Sequence, residues 1–193
     1  LSYRADLNVE CLNSSTLHGT ITLGHASTIN SKRIIVVASA ANIETVGAIG
    51  SPGTPGPFGS ATINAPIDNR GAIDGPVTGI GRTLRFNGDV FNSGTMTGDL
   101  TFAALYSPKN DPSQGSIVDN ATFTETSTVR VKLGGETPRV DHDQIIIGGD
   151  ASISGTLEIV YEGGFAAAPG QEFVVMAAEN LAGAFTNMAF PDA

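Results

Sequence analysis

The feature that most constrains this chain is that it repeats itself. The segment Gly94-Thr95-Met96-Thr97-Gly98-Asp99-Leu100-Thr101-Phe102 lines up with Gly115-Ser116-Ile117-Val118-Asp119-Asn120-Ala121-Thr122-Phe123 at an offset of 21 residues. Asn69 to Gly75 lines up in the same way with Asn92 to Gly98, at an offset of 23. A period near twenty residues, with a small turn residue ahead of alternating apolar positions, fits one coil of a stack built from two or three short strands. A leucine-rich repeat has a similar length, but its leucine and asparagine framework is absent. Looser echoes follow Gly19 (Thr20-Ile21-Thr22-Leu23) and Gly155 (Thr156-Leu157-Glu158-Ile159). Apolar residues at every second position send one side of each strand inward and leave Thr, Asp or Glu outward. The pattern predicts an all-β, right-handed parallel β-solenoid (β-helix) with protruding Pro/Gly loops. Within it, residues from about Asn64 to Phe123 stack in parallel, and Ile73, Met96 and Ile117 share one interior column at steps of about 4.8 Å.

Composition agrees with many short strands. Charged residues make up only 15% of the 193 and glycine supplies 24, so Thr, Ser, Asn and Gly carry the polarity that Lys and Glu carry elsewhere. Thr pairs well across strands, and Gly and Asn tolerate tight turns. The formal net charge of −9, with ten Lys and Arg in all, leaves no basic stripe for phosphates and speaks against nucleic-acid binding. The single Cys11 rules out an intrachain disulfide framework, and no apolar run approaches the ~18 residues of a membrane span. No signal-peptide pattern opens the chain, so an export signal would lie outside this sequence.

Two segments interrupt the repeat. Residues 47–59 hold three prolines among glycines and cannot keep a ladder hydrogen-bonded, which predicts a protruding loop. Tyr106 to Gln114, with Pro108 and Pro112, reads as an insertion between two coils. Ile34 to Ala41 is β-branched and short, and is expected to be a strand inside the stack. The domain division is residues 1–125 as solenoid coils and 126–193 as a C-terminal solenoid segment of different texture, truncated or continued elsewhere.

That second part carries a resemblance. The order Asp143-Gln144-Ile145, Gly149, Ile153-Ser154-Gly155-Thr156-Leu157, Gly164-Phe165, Pro169-Gly170, Phe173-Val174-Val175-Met176 and Gly183-Ala184-Phe185 resembles the C-terminal segment of autotransporter-type passenger β-helices and related large bacterial surface proteins. The resemblance implies right-handed winding, export, and an extracellular or cell-surface location. It implies no activity, because passengers that are enzymes keep their chemistry in inserted domains. No Gly-Asp-Ser or Gly-x-Ser-x-Gly nucleophile motif is present.

The densest polar cluster is Arg139-Val140-Asp141-His142-Asp143. On a strand, Asp141 and Asp143 would share a face about 7 Å apart, a spacing able to hold calcium or to work as an acid/base pair. Turn carboxylates capping backbone amides are the preferred reading, because Asp dominates turns. No cofactor is expected, and Asp141 and Asp143 are the pair that would take calcium if any ion bound. His18, His25 and His142 lack the short spacing of a local zinc site and are expected at the surface or in turns. Asp68, Asp74, Asp89 and Asp99 are expected at coil corners, without the strict calcium nonapeptide. Asn13-Ser14-Ser15 and Asn120-Ala121-Thr122 match the glycosylation sequon, with Asn120 also explained as a turn former. Cys11 reads as a small buried residue rather than a nucleophile.

These readings lead to a structural or adhesive exported surface protein, self-assembling as a filament or matrix component, with no catalytic residues. Its partners would be copies of itself, adjoining strands of a longer chain, or surface glycans. The alternative is a carbohydrate-active β-helix, a lyase or hydrolase. That reading needs carboxylates and a Lys or Arg converging on one face. The strand-like residues from Leu1 to Val9 and the stop at Phe190-Pro191-Asp192-Ala193 predict further pairing at both ends.

Overall fold

The computed structural model describes residues 61–70, 72–75, 83–108 and 116–190, and six shorter upstream strands as backbone. Ala61, Ala72 and Asp74 are likewise described as backbone only. The described chain is all β, with no helix, and winds through three faces in a fixed order. The first face holds eight strands, Asn8–Cys11, Thr28–Ser31, Ala61–Ile63, Leu84–Phe86, Leu100–Phe102, Ala121–Phe123, Asp150–Ile153 and Asn180–Gly183. The second holds Ser15–Leu17, Ile34–Val36, Ile67–Asn69, Val90–Asn92, Leu105–Pro108, Thr128–Leu133, Thr156–Tyr161 and Asn187–Ala189. The third runs from Thr20–Leu23 through Asn42–Thr45, Ala72–Asp74 and Thr95–Thr97 to Ser116–Ile117. A parallel bridge from Ile117 to Ile147 leads on to the paired strands Ile145–Ile146 and Met176–Ala177. Every strand pairs in parallel with its counterpart one coil away, which makes the architecture a β-solenoid-like stack.

The short alternating runs explain the arrangement. A three-residue strand such as Leu84-Arg85-Phe86 turns two side chains inward and one outward, while Thr95-Met96-Thr97 turns only Met96 inward. Neither strand buries enough by itself, so each coil depends on its neighbours. Ile73, Met96 and Ile117 do form one buried column, in register and preceded in backbone register by Ile21 and Ile43. The pairings Asn69↔Asn92 and Phe102↔Phe123 match the sequence offsets.

Inside the stack, the Phe86, Phe102 and Phe123 rings pile up at centroid separations of 5.2 and 5.1 Å, and Tyr106 stands edge-on to Phe102 at 4.8 Å. Beside them runs a buried polar chain. Asn69 Nδ2 donates to Asn92 Oδ1 at 2.8 Å, and Asn92 Nδ2 donates to the Tyr106 hydroxyl at 3.1 Å. Asn92 Oδ1 also accepts the Gly94 amide at 3.2 Å, so the buried amides are paired rather than stranded. Burial pushes the Tyr106 phenol above its usual range, partly offset by Asn92.

The structure corrects several expectations. Tyr106 and Pro108 belong to the strand Leu105–Pro108, with Tyr106 fully buried. The interruption therefore lies after Pro108, between the second and third faces of one coil, rather than between two coils. Its residues 109–115, like the Pro/Gly segment 47–59, lie outside the described residues. Of Ile34 to Ala41, Ile34–Val36 is a strand and the rest lies outside. Glu172 to Ala177, apolar enough to be expected as one strand, contains only the strand Met176–Ala177, the part that pairs with Ile145–Ile146. The stack crosses residues 125 and 126 without a break, through Leu105↔Thr128 and Ala121↔Ala151.

Candidate functional site

The acidic pair singled out in the sequence does not sit on a strand. Asp141 and Asp143 lie in the irregular segment between the strands Thr128–Leu133 and Ile145–Ile146, and their carboxylates turn to different amides. Asp141 Oδ2 accepts the Thr137 N–H at 3.1 Å, and Asp143 Oδ2 accepts the Lys132 N–H at 2.9 Å. The Thr137 hydroxyl and amide hold the Asp141 carboxyl below its ordinary value of 3.8. Burial pushes the Asp143 carboxyl above it, against the pull of the Lys132 amide and charge. Each carboxylate serves a backbone donor.

Between them, His142 closes the turn formed by residues 139–141, the second of the two placements expected of it, but it is buried rather than at the surface. It is 5% exposed, its Nδ1 lies 3.1 Å from the Gly135 carbonyl oxygen, and its ring stands edge-on to Phe173 at 5.4 Å. A carbonyl only accepts, so Nδ1 is the donor; Nε2 is buried without a hydrogen-bond partner among the described residues. His18 and His25, Asn13 and the side chain of Cys11 lie outside the described residues.

The corner aspartates also divide. Asp68 is the middle residue of a second-face strand rather than a corner residue, fully buried and paired with Arg70 at 2.7 Å. The order Ile-Asp-Asn hid this, because all three residues are buried and the strand does not alternate as Leu84-Arg85-Phe86 does. Asp89 is at the corner between first and second faces, where its Oδ1 accepts the Leu105 amide at 3.2 Å. Asp99 is at a different corner, between the third and first faces. No single ladder of these aspartates forms, and the Asp74 side chain lies outside the described residues. Among the described residues, no group of three or more His, Cys, Asp or Glu is placed to hold a metal ion.

Asp99 instead begins a ladder that the sequence reading missed. Asp99 and Asn120 stand immediately before a first-face strand, and Asp150 and Asn180 are the first residues of the next two, in successive coils. Asn120 Nδ2 donates to Asp99 Oδ1 at 2.7 Å, Asn120 Oδ1 accepts the Asp150 amide at 2.8 Å, and Asn180 Nδ2 donates to Asp150 Oδ1 at 2.7 Å. Stacked side chains of this kind hold each coil to the next and fix their own rotamers. The available signal was an Asp or Asn directly ahead of Leu100, Ala121, Ala151 and Leu181. The last two steps are 30 residues long rather than near twenty, which hid the recurrence.

The ladder borders a groove of about 530 Å³ that crosses the first-face strands along the stack, its lining running from Thr83 to Ala182. Down it runs an outward column in register, Thr101, Thr122, Ser152 and Ala182. At one end the Thr83 and Thr101 hydroxyls are hydrogen-bonded at 2.7 Å. Thr122 and Ser152 are exposed. The arrangement can present a repeating set of hydroxyls, amides and carboxylates to an extended ligand. No family model, no curated protein and no solved structure matches this chain.

Proposed function

We propose that this chain is a structural or adhesive protein of the exported bacterial surface, a stiff stack that works through contacts on its sides and edges rather than by catalysis. The observation that carries the reading is the Asp99–Asn120–Asp150–Asn180 ladder: it ties the prominent acidic groups of an open face to neighbouring coils in a repeating pattern. An extracellular or cell-surface location accords with the passenger-like order of residues 143–185. Right-handed winding accords with the strong preference of parallel crossover connections for that hand, and the proline-rich 47–59 segment suits a protruding contact loop.

The edge of the stack suits end-on growth. Leu181 and Met188 continue interior columns yet are 52% and 61% exposed, on strands whose outer edge has no described partner. Such an edge templates another strand, supplied by a copy of the chain or by adjoining strands of a longer one. Sedimentation across a concentration series, together with electron microscopy, tests the reading. Rods that lengthen with concentration are expected; a strictly compact monomer at high micromolar concentration removes it. The carbohydrate-active alternative rests on Asp99 and Asp150 lining the groove, and it requires that a glycan be shortened on incubation with the protein.

A further inference from the structure

We infer that the first-face groove binds an extended, amine-bearing glycan laid along the stack, one sugar to each coil; this rests on the adhesive reading above. The geometry sets the ligand's length scale. Each coil contributes one Asx residue from the ladder and one outward side chain from the neighbouring column, and successive coils are about 4.8 Å apart. A β-linked sugar chain advances by nearly that distance per residue. The site is pre-organised, because Asn120 and Asn180 already hold the Asp99 and Asp150 carboxylates in place. Little side-chain entropy is then lost on binding.

The same face argues against an extended peptide. Peptides gain affinity on sheets by pairing with a free strand edge. Here the strands Leu100–Phe102, Ala121–Phe123 and Asp150–Ile153 have a neighbour on both sides, so the groove has only side chains to offer. Charge then selects among glycans. Asp99 and Asp150 line the groove and, among the described residues, no Lys, Arg or His does, so a polyuronate meets like charge, whereas the ammonium groups of a glucosamine chain meet carboxylates. The exposed Thr122 and Ser152 hydroxyls face the sugar hydroxyls.

The test is titration calorimetry of the whole chain with three β-linked tetrasaccharides: glucosamine, N-acetylglucosamine and a uronic acid. Saturable binding of the glucosamine tetramer is expected, at least tenfold tighter than its N-acetylated form, with none for the uronate. Asp99→Asn with Asp150→Asn should bring the glucosamine tetramer down to the N-acetylated level. Thr122→Val with Ser152→Val should weaken both, and unchanged thermal unfolding of each variant establishes that it is folded. No saturable binding of the glucosamine tetramer, equal binding of the N-acetylated one, or binding that ignores both folded variants overturns the proposal. The result is separable from the structural reading: shortening of a bound tetramer would sink the non-catalytic function and leave the site standing. Loss of concentration-dependent rods would remove self-assembly without touching the groove.

Discussion

Leu100 and Leu181 stand in the same interior column of the first face, linked through Ala121 and Ala151, yet Leu100 is 1% exposed and Leu181 52%. On the second face the column Val129, Leu157, Met188 runs from 0% through 8% to 61%. The backbone and the inward direction are alike, so residue type and strand geometry do not explain the difference. What differs is the number of covering coils. An interior residue of a stack is buried by the coils above and below it, and the Asn180–Ala189 coil has a described neighbour on one side only. Stability in such a chain is a property of adjacency.

The largest effect should come from removing a ring at the centre. Phe102→Ala takes away the middle member of the Phe86–Phe102–Phe123 stack and the Tyr106 contact, and should cost about 3–5 kcal/mol in urea unfolding. Met188→Ala, at an equally inward-pointing position, should cost less than about 1 kcal/mol. Similar losses for the two would break the adjacency account. A smaller contrast compares two glycines with positive φ, Gly155 at 74° inside the stack and Gly163 at 62° outside it. Both alanine substitutions give up ~1–2 kcal/mol of backbone preference. At Gly155 the added methyl also meets the Ser127 and Thr124 carbonyl oxygens, whereas at Gly163 it meets nothing. Gly155→Ala should therefore be the more destabilising by about 1–3 kcal/mol, and equal thermal shifts would show that the stack yields locally.

The smallest effect is in the segment between Leu133 and Ile145, and it is one of sign. Asp143 is raised in the fold, so its contribution to stability is present below the ordinary value of 3.8 and is lost as pH rises through the folded value. Asp141 is depressed, so its contribution is present above 3.8 and is lost as pH falls through the folded value. Relative to wild type, Asp143→Asn should gain in unfolding temperature as pH climbs above 3.8, whereas the deficit of Asp141→Asn, full above 3.8, should close as pH falls below it. Parallel pH profiles for both variants would show that the two carboxylates do not differ in this way.

Much of the stack was legible because its register follows from side-chain alternation. Gly94 to Phe102 and Gly115 to Phe123 announce their own pairing, and Ile73, Met96 and Ile117 fall where the count puts them. The site was less legible. Asp99 was noted as a corner residue, but its ladder partners Asp150 and Asn180 follow steps of 30 residues, and Asp141 with Asp143 drew attention because they are adjacent in sequence. The burial of His142 and of Tyr106 is illegible for a related reason: their rings pack on Phe173 and Phe102, residues outside their own segments.

The sequence alone determined the strand type, the existence of coils and the direction in which the repeated residues point, since these depend on neighbours within a few positions. Only the tertiary structure decided which Asx residues stack, which aspartate is buried and which inward column reaches solvent. In register the step from one first-face strand to the next is 16 residues from Leu84 to Leu100, 21 from Leu100 to Ala121 and 30 from Ala121 to Ala151. Hydrogen-bonded stacking absorbs these unequal corners and segments between strands, so contacts across coils are set by the ladder rather than by a count along the chain.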